Sequence, residues 1–476
     1  MTLSSKIGLV LGPILFLVFI NLPTALISEN ADAVVAVALW MIIWWITEAV
    51  SISVTALLPL LLFPLLKIMS VGDVGANYGS PIVFLFFGGF VMALALEKVN
   101  LHKRIALSII KVTGTTPNKV VLGFMIATAV LSMWISNTAS TVVMLPIAMS
   151  VIQLLINDAD GFTKQDRNFA LSVMLGIAFS ANAGGIATVI GTPPNSVLIG
   201  LLENEYNIEI SFLKWMIIGL PFSVIMITLC YFVLVKLMFP DKDLKFTASK
   251  EIIVRELKKL GPTSRKEKMV LVIFGVTIFM WIFRTVINGL IPNLSLSDTM
   301  ISMFAAITLF VIPFNLKQGD FILEWKDTQE LAWGILILFG GGLALAKGMS
   351  VTGIVDLVAG VIAESDISVL LTATLLIFLM LFMTELMSNV ALVAVLAPVV
   401  AGIAIGLGLP IVYLLIPITM ASSCAFMLPM ATPPNAIVFA SGYIKVSEMA
   451  KAGVILNILA VILLVGLFQF ILPILF

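Results

Sequence analysis

Charge is scarce in this sequence, and so are histidine and cysteine. Only 11% of the 476 residues are Asp, Glu, Lys or Arg, whereas a soluble domain carries about 25%. The 26 basic and 26 acidic residues balance, so the chain lacks the basic surplus that is typical of nucleic-acid binding. The two cysteines, Cys230 and Cys424, form neither a CxxC motif nor a disulfide framework. These shortages exclude a soluble enzyme, a disordered chain and a nucleic-acid-binding protein.

Apolar residues make up 61% of the chain and are gathered in long runs. A helix needs about 20 such residues to cross the hydrocarbon core of a bilayer. The candidate spans are 7–28, 34–50, 52–66, 81–97, 169–190, 212–239, 270–291, 298–313, 331–347 and 452–475. We therefore expect an all-α, polytopic membrane protein.

Three further apolar runs are interrupted by polar residues. Residues 118–156 are interrupted at Ser136-Asn137-Thr138, 368–408 at Ser388-Asn389, and 411–442 at Ala431-Thr432-Pro433-Pro434-Asn435. The span at 169–190 runs into a near copy of the last break, Gly191-Thr192-Pro193-Pro194-Asn195. These interruptions predict hairpin tips and broken helices.

Basic residues in the loops predict the orientation of the chain. Residues 240–268 hold nine basic and five acidic residues, which places this loop in the cytoplasm. The loop at 203–211 holds three glutamates and no basic residue, which fits the opposite side. Counting spans along the chain agrees with these loop positions only if 118–156 and 368–408 are re-entrant hairpins, each of which enters and leaves the membrane on the same side. The prediction is about 11 transmembrane helices, a cytoplasmic N-terminus and an extracytoplasmic C-terminus.

Three landmarks recur in the same order. Phe87-Gly88-Gly89 and Ser136-Asn137 return 252 residues later, and Thr192-Pro193-Pro194-Asn195 returns 240 residues later. Because the first hairpin opens from inside and the second from outside, the two halves form an inverted repeat. In such transporters, substrate and coupling ions bind near the bilayer midplane on broken helices.

The residue types at these breaks suit an anion together with a small cation. Hydroxyl and amide groups both donate and accept hydrogen bonds, and helix N-termini favour a carboxylate. Unwound backbone offers carbonyl oxygens to a hard cation. Neutral ligands suit a monovalent ion, since a divalent site would use carboxylates.

At these motifs the sequence resembles the divalent anion/sodium symporter family, the dicarboxylate and citrate transporters. The resemblance covers essentially the whole chain. It implies that the substrate carboxylates are held by Ser136, Asn137, Thr138, Ser388, Asn389 and Val390, with Thr192, Pro193, Thr432 and Pro433 closing the site. The chain departs from the family pattern at Val390, where a hydroxyl is replaced by an aliphatic side chain.

The resemblance also implies two sodium sites and an elevator mechanism. One sodium site maps to Ser132, Ser136, Asn137 and Gly191, and the other to Thr384, Met387, Asn389 and Ala431. In this family, hairpins and broken helices move as a transport domain against a dimeric scaffold.

The expected domain organisation follows from these assignments. The N-terminal half, 1–240, comprises scaffold helices 1–97, an interfacial segment 98–117, the re-entrant hairpin 118–156, the broken helix 169–203 and the helix 212–239. A cytoplasmic basic loop, 241–269, follows. The inverted C-terminal half, 270–476, comprises scaffold helices 270–347, the re-entrant hairpin 368–408, the broken helix 411–442 and the helix 452–475.

We therefore expect a homodimeric secondary transporter in the plasma (inner) membrane lipid bilayer. It would import di- or tricarboxylates such as succinate, malate, fumarate or 2-oxoglutarate, coupled to two or more sodium ions. The alternatives are a sodium-independent dicarboxylate exchanger, a sulfate carrier and a channel. An enzyme is not expected, because one histidine supplies neither a nucleophile–base pair nor a metal cluster.

Charged residues within apolar runs are functional suspects by default. They are Glu48, Glu97, Arg284, Lys347 and Glu385. Glu385 stands out because it comes three residues before Ser388. Glu97 and Lys347 are expected to reach the membrane surface, and Glu48 to make a structural pair. Arg284 could pair with a carboxylate or contribute to a dimer interface, and His102 is expected to be solvated.

Overall fold

The computed structural model is almost entirely helical. It describes residues 3–21, 29–114, 116–156, 162–240, 249–291, 294–315, 320–365 and 367–476. Among these residues, eight helices are long and apolar enough to cross a membrane. The predicted all-α, multi-pass class is therefore confirmed. Parts of the predicted first span and of the predicted loops, namely 22–28, 157–161 and 241–248, lie outside the described residues.

Twelve helices precede the basic loop. They are α1 Leu3–Asn21, α2 Glu29–Thr47, α3 Ile52–Thr55, α4 Leu58–Leu65, α5 Val71–Tyr78, α6 Pro81–Lys98, α7 Leu101–Thr113, α8 Pro117–Ser132, α9 Asn137–Ile156, α10 Lys164–Gly185, α11 Pro193–Tyr206 and α12 Phe212–Tyr231. A π-helical segment, Phe232–Met238, continues α12.

Eleven more helices lie in the described residues from 249 onwards, the first of them within the predicted basic loop. They are α13 Ser249–Lys259, α14 Arg265–Leu290, α15 Asp298–Val311, α16 Trp333–Val351, α17 Ile354–Ala363, α18 Val369–Met383, α19 Asn389–Gly406, α20 Ile411–Ser422, α21 Pro433–Phe439, α22 Val446–Gly466 and α23 Leu472–Leu475. A short antiparallel ribbon, β1 Pro313–Asn315 with β2 Asp320–Phe321, and a 3₁₀ helix, Trp325–Glu330, join α15 to α16. A second π-helical segment, Leu467–Ile471, separates α22 from α23.

The broken helices form the centre of the core. Every residue of α10 from Phe169 to Gly185 is buried, as is α11 from Pro194 to Leu202. Helix α10 begins earlier than the predicted residue 169, because Thr163 and Asp166 form a capping box. The Thr163 amide donates to the Asp166 carboxylate at 2.7 Å, which satisfies an otherwise unpaired donor at the helix start.

The predicted solvation of His102 is wrong. Its side chain is 3% exposed, and Nδ1 lies 2.9 Å from the Leu96 carbonyl oxygen. The segment predicted to lie along the interface folds into the amphipathic helix α7, and His102 lies on its buried side with Leu101 and Ala106. The apolar face of this helix packs against α8.

Helical structure also replaces part of the predicted polar loop at 240–268. Helix α13 forms there and buries Ile253. The predicted span 52–66 is divided into α3 and α4, and α5 follows in a segment for which no helix was predicted.

Polar contacts gather at two opposite ends of the long helices. One group, the basic face, contains the ion pairs Lys98–Asp327, Arg104–Glu267 and Arg167–Glu448 and the Asn168–Pro240 hydrogen bond. The other group, the acidic face, contains the ion pairs Lys347–Glu205, Arg284–Glu209 and Arg284–Asp298 and the Asn204–Ser80 hydrogen bond. Helix α6 runs from Pro81, next to Ser80, to Lys98, so the two faces lie at opposite ends of this helix.

These contacts give the partners of two charged residues that the sequence singled out, Arg284 and Lys347. Arg284 pairs with carboxylates, at 2.6 Å from Glu209 and 3.3 Å from Asp298. Lys347 does not extend alone towards the membrane surface, because its Nζ lies 3.3 Å from the nearly buried carboxylate of Glu205.

Candidate functional site

Both predicted hairpin tips are turns that lead into the N-terminus of a helix. Helix α9 begins at Asn137 and α19 begins at Asn389. The preceding serine caps each helix: Ser136 Oγ accepts from the Ala139 amide at 3.1 Å, and Ser388 Oγ accepts from the Ala391 amide at 3.5 Å. Each tip therefore presents the electropositive end of a helix.

Proline pairs restart both broken helices. Helix α11 begins at Pro193 and α21 at Pro433, where the missing amide proton costs nothing. The broken stretches, 186–192 and 423–432, are longer than the TPPN motifs alone indicate.

The asparagine of each TPPN motif binds the carbonyl oxygens that the break releases. Asn195 Nδ2 donates to the Thr188 carbonyl at 2.8 Å, and Asn435 Nδ2 donates to the Leu428 carbonyl at 3.0 Å. Donor and acceptor are each 240 residues apart between the halves, as the sequence repeat predicts. The paired motifs therefore make the same local structure twice.

A second contact also recurs, now 252 residues apart along the hairpins. Ser132 Oγ lies 2.5 Å from Asn137 Oδ1 and 2.7 Å from the Ala181 carbonyl oxygen. Thr384 Oγ1 lies 2.6 Å from Asn389 Oδ1 and 2.7 Å from the Ser422 carbonyl oxygen. A hydroxyl has one proton, so it donates to only one of its two neighbours at a time. Both clusters are thus rich in oxygen and poor in donors, which suits a cation.

Gly185 leaves room beside the first cluster. A Cβ atom there would lie 2.5 Å from Asn137 Oδ1 and 3.1 Å from the Gly191 carbonyl oxygen. These two oxygens, both from predicted sodium ligands, therefore face the same small space, and Ser132 lies beside them through its contact with Asn137.

Tips and TPPN segments meet in one cavity of about 970 Å³. The predicted site residues on its wall are Ser136, Asn137, Thr138, Gly191, Thr192, Pro193, Met387, Ser388, Asn389, Val390, Ala431, Thr432 and Pro433. Ser132 and Thr384 are fully buried behind this wall and contact it through Asn137 and Asn389.

Sequence reasoning singled out Glu48 and Glu97 but missed the rest of the opposite wall of the cavity. It comes from α2, α6 and the start of α16, and includes Trp45, Thr47, Glu48, Phe90, Glu97, Glu330 and Ile335. Glu97 and Glu330 lie at the basic face, next to Lys98 and close to Asp327, so the cavity opens towards that face. Glu48 has a left-handed backbone (φ 46°). Its expected structural ion pair is absent among the described residues.

No Lys, Arg or His lines the described wall of this cavity. Its charged residues are Glu48, Glu97 and Glu330. A second cavity of about 980 Å³, at the acidic face, is lined by residues that include Lys67, Lys347, Asp73 and Glu205, but by none of the duplicated motifs. The first cavity is therefore the candidate site.

Glu385 binds the backbone of the second break. Its buried carboxylate accepts from the amides of Phe426, Met427 and Leu428 at 2.9–3.2 Å, and from Asn457 Nδ2 at 2.7 Å. The equivalent position in the first half is Met133, whose backbone carbonyl accepts from the Thr188 hydroxyl. The two halves therefore satisfy the backbone groups at their breaks with different partners. Only the second half places a carboxylate, that of Glu385, beside its oxygen cluster.

Asn182 joins the two halves. Its Nδ2 lies 3.2 Å from the Ala425 carbonyl oxygen, 3.0 Å from Thr432 Oγ1 and 3.3 Å from Asn435 Oδ1. Sequence reasoning missed this residue. In the sequence, Asn182 is marked only as the single amide side chain within the apolar run 169–190.

Comparison with known proteins agrees with this geometry. The family model described as "Sodium:sulfate symporter transmembrane region" matches residues 4–476. The sodium-dependent dicarboxylate transporter SdcS of Staphylococcus saprophyticus is 38% identical over 98% of this chain and 91% of its own length. SdcS of Staphylococcus aureus strain USA300 shows the same identity and coverage.

The solved structure of Neisseria gonorrhoeae MtrF, described as one of a class of antimetabolite efflux pumps, has a similar fold. The TM-score is 0.52 with 13% identity, covering 85% of this chain and 83% of that one. At this identity the likeness concerns the fold alone. The near-complete match to the family model and the 38% identity to the SdcS proteins show the family. The chain is therefore a transporter of the sodium:sulfate symporter family, the divalent anion/sodium symporters.

Proposed function

We propose that this chain imports dicarboxylates or tricarboxylates across the plasma (inner) membrane, coupled to sodium. The names of the SdcS relatives support both the substrate class and the coupling ion. The observation that carries the proposal is the cavity itself, in which two helix N-termini and two oxygen clusters meet without a basic side chain.

Each hairpin tip would hold one carboxylate of the substrate. The N-terminus of α9 with Ser136, Asn137 and Thr138 would bind one end, and the N-terminus of α19 with Ser388 and Asn389 would bind the other. Thr192, Pro193, Thr432 and Pro433 would close the site. Neutral donors alone leave a dianion with uncompensated charge in a partly desolvated cavity, which is costly.

Sodium would supply the missing positive charge. One ion would use Ser132, Ser136, Asn137 and the Gly191 carbonyl, and the other Thr384, Met387, Asn389 and the Ala431 carbonyl. Because the described residues of the cavity wall include no cationic side chain, binding of the anion would require the ions, and this requirement would couple the two fluxes.

The membrane topology and the movement of domains are also part of this proposal. Hairpins α8–α9 and α18–α19 would be re-entrant and belong, with the broken helices, to a transport domain that moves against a dimeric scaffold. The basic face would be cytoplasmic, with the N-terminus inside, the C-terminus outside and about 11 spanning helices in an inverted repeat. Since the cavity opens at the basic face, the conformation described here would be inward-open.

Uptake into proteoliposomes tests the function. An inward sodium gradient should drive accumulation of radiolabelled succinate, and replacing sodium by potassium should reduce uptake to the background of empty vesicles. Uptake that ignores sodium but accelerates with internal dicarboxylate would contradict symport and indicate exchange. A panel of competing dicarboxylates, citrate and sulfate would rank the substrates.

Removing either tip asparagine should abolish uptake. Asn137→Ala and Asn389→Ala each delete a proposed ligand of both substrate and sodium. Asn21→Ala is the matched control, because Asn21 is exposed at the end of α1 and bonds only its own helix. Initial rates at saturating sodium provide the measurement. Wild-type activity in either tip variant would remove that residue from the site.

Cross-linking the proposed transport domain to the proposed scaffold at the acidic face should stop transport. Asn204 Nδ2 lies 2.9 Å from Ser80 Oγ, and these residues lie on the proposed transport domain and scaffold. A Ser80→Cys/Asn204→Cys double variant, bridged by a short bis-methanethiosulfonate that forms a disulfide with each cysteine and releases methanesulfinate, should lose uptake and regain it on reduction.

The same reagent should leave a control pair active. Ser70 and Asp73 lie within 2.6 Å on one short helix, so bridging Ser70→Cys/Asp73→Cys restrains no domain movement. Cys230 and Cys424 are fully buried and should not react. Full uptake by the bridged Ser80/Asn204 variant would contradict the elevator movement.

A further inference from the structure

We propose that Asn182 is a positioning residue that orients the Thr432 hydroxyl towards a substrate carboxylate. This hydroxyl would serve the half of the site that has no hydroxyl at position 390. The inference rests on the proposed function, since it assigns a donor to one of the two carboxylates.

The Thr432 hydroxyl has its acceptor capacity filled by the protein. Its Oγ1 accepts from Asn182 Nδ2 at 3.0 Å and from the Asn435 amide at 3.4 Å. A hydroxyl has two acceptor lone pairs and one proton to donate. Within the described part of the chain, the Thr432 proton has no acceptor, and the residue lines the substrate cavity. Its donor is therefore left for a group in the cavity.

The first half lacks this arrangement. At the equivalent break, the Asn195 amide donates to the Thr192 backbone carbonyl, and the described residues provide no cap bond to the Thr192 side chain. The residue 240 positions after Asn182 is Ser422, whose hydroxyl donates to the Thr419 carbonyl at 2.7 Å within its own helix. The contact that fixes Thr432 therefore arises from the N-terminal half and acts on the C-terminal half.

This asymmetry matches the one departure from the duplicated tip motif. The first tip carries the Thr138 hydroxyl on the cavity wall, whereas the second carries the aliphatic Val390. With Thr432 oriented, the second half offers a side-chain hydroxyl besides that of Ser388, in place of the one that its tip lacks at position 390. A hydroxyl donating to a carboxylate makes a charge-assisted bond, which is stronger than a neutral one.

Asn182 is poorly explained by stability alone. Its side chain is 1% exposed, yet its own Oδ1 has no hydrogen-bond partner among the described residues. An unsatisfied buried acceptor is destabilising. An apolar residue of similar size would avoid that cost but would leave the Thr432 hydroxyl free to rotate.

A double-mutant cycle tests the inference. Asn182→Ala, Thr432→Val and the combined variant are reconstituted, and the KM for succinate is measured at saturating sodium. Each single variant should raise KM about tenfold, the size expected for a lost hydrogen bond to a charged group. The combined variant should be no worse than Thr432→Val, because Asn182 acts through that hydroxyl.

Additive effects would overturn the proposal, since independent contributions add. An unchanged KM in Thr432→Val would overturn it as well, whatever becomes of Asn182→Ala. If Asn182→Ala is lost during purification, Asn182→Ser replaces it in the cycle, because the second half has serine at this position. Thr432→Ser keeps the hydroxyl and should retain a near wild-type KM. Failure of the wild-type protein to take up succinate would instead contradict the proposed function.

Discussion

A helix that breaks inside an apolar bundle releases backbone amides and carbonyls that must find partners within the protein. In this chain, two asparagines and one carboxylate meet much of that requirement. Asn195 and Asn435 bind the freed carbonyls, and Glu385 binds the freed amides of residues 426–428. Because these groups hold the unwound segments open, the neighbouring oxygens can face a common cavity. The shape of the candidate site therefore depends on hydrogen bonds to the backbone groups that the two helix breaks release.

The duplicated halves share this solution but differ where function would need asymmetry. Glu385 replaces Met133, so a negative charge lies beside only the second oxygen cluster. Asn182 bonds across to the second half, whereas Ser422, 240 residues later, bonds within its own helix. In the proposed mechanism, sodium offsets the absence of basic residues from the described cavity wall.

Much of the site could be predicted from sequence because its residues recur in order and its prolines force a break. The positions of both tips and both TPPN segments were predicted correctly as interruptions. Contacts between distant residues could not be predicted: Glu385 meets Phe426 41 residues away, and Asn182 meets Thr432 250 residues away. Such contacts depend on how the halves pack, which local patterns do not encode. The burial of His102 was missed for the same reason, because the packing of α7 on α8 determines it.

In the proposed mechanism, sodium supplies the positive charge that the described cavity wall lacks. Equilibrium binding of succinate to the purified protein in detergent tests it directly, by calorimetry with sodium or with choline at the same ionic strength. The account predicts saturable binding in sodium and no measurable binding in choline. Equal affinity in both salts would contradict it, since the neutral tips would then hold a dianion without help from the coupling ions.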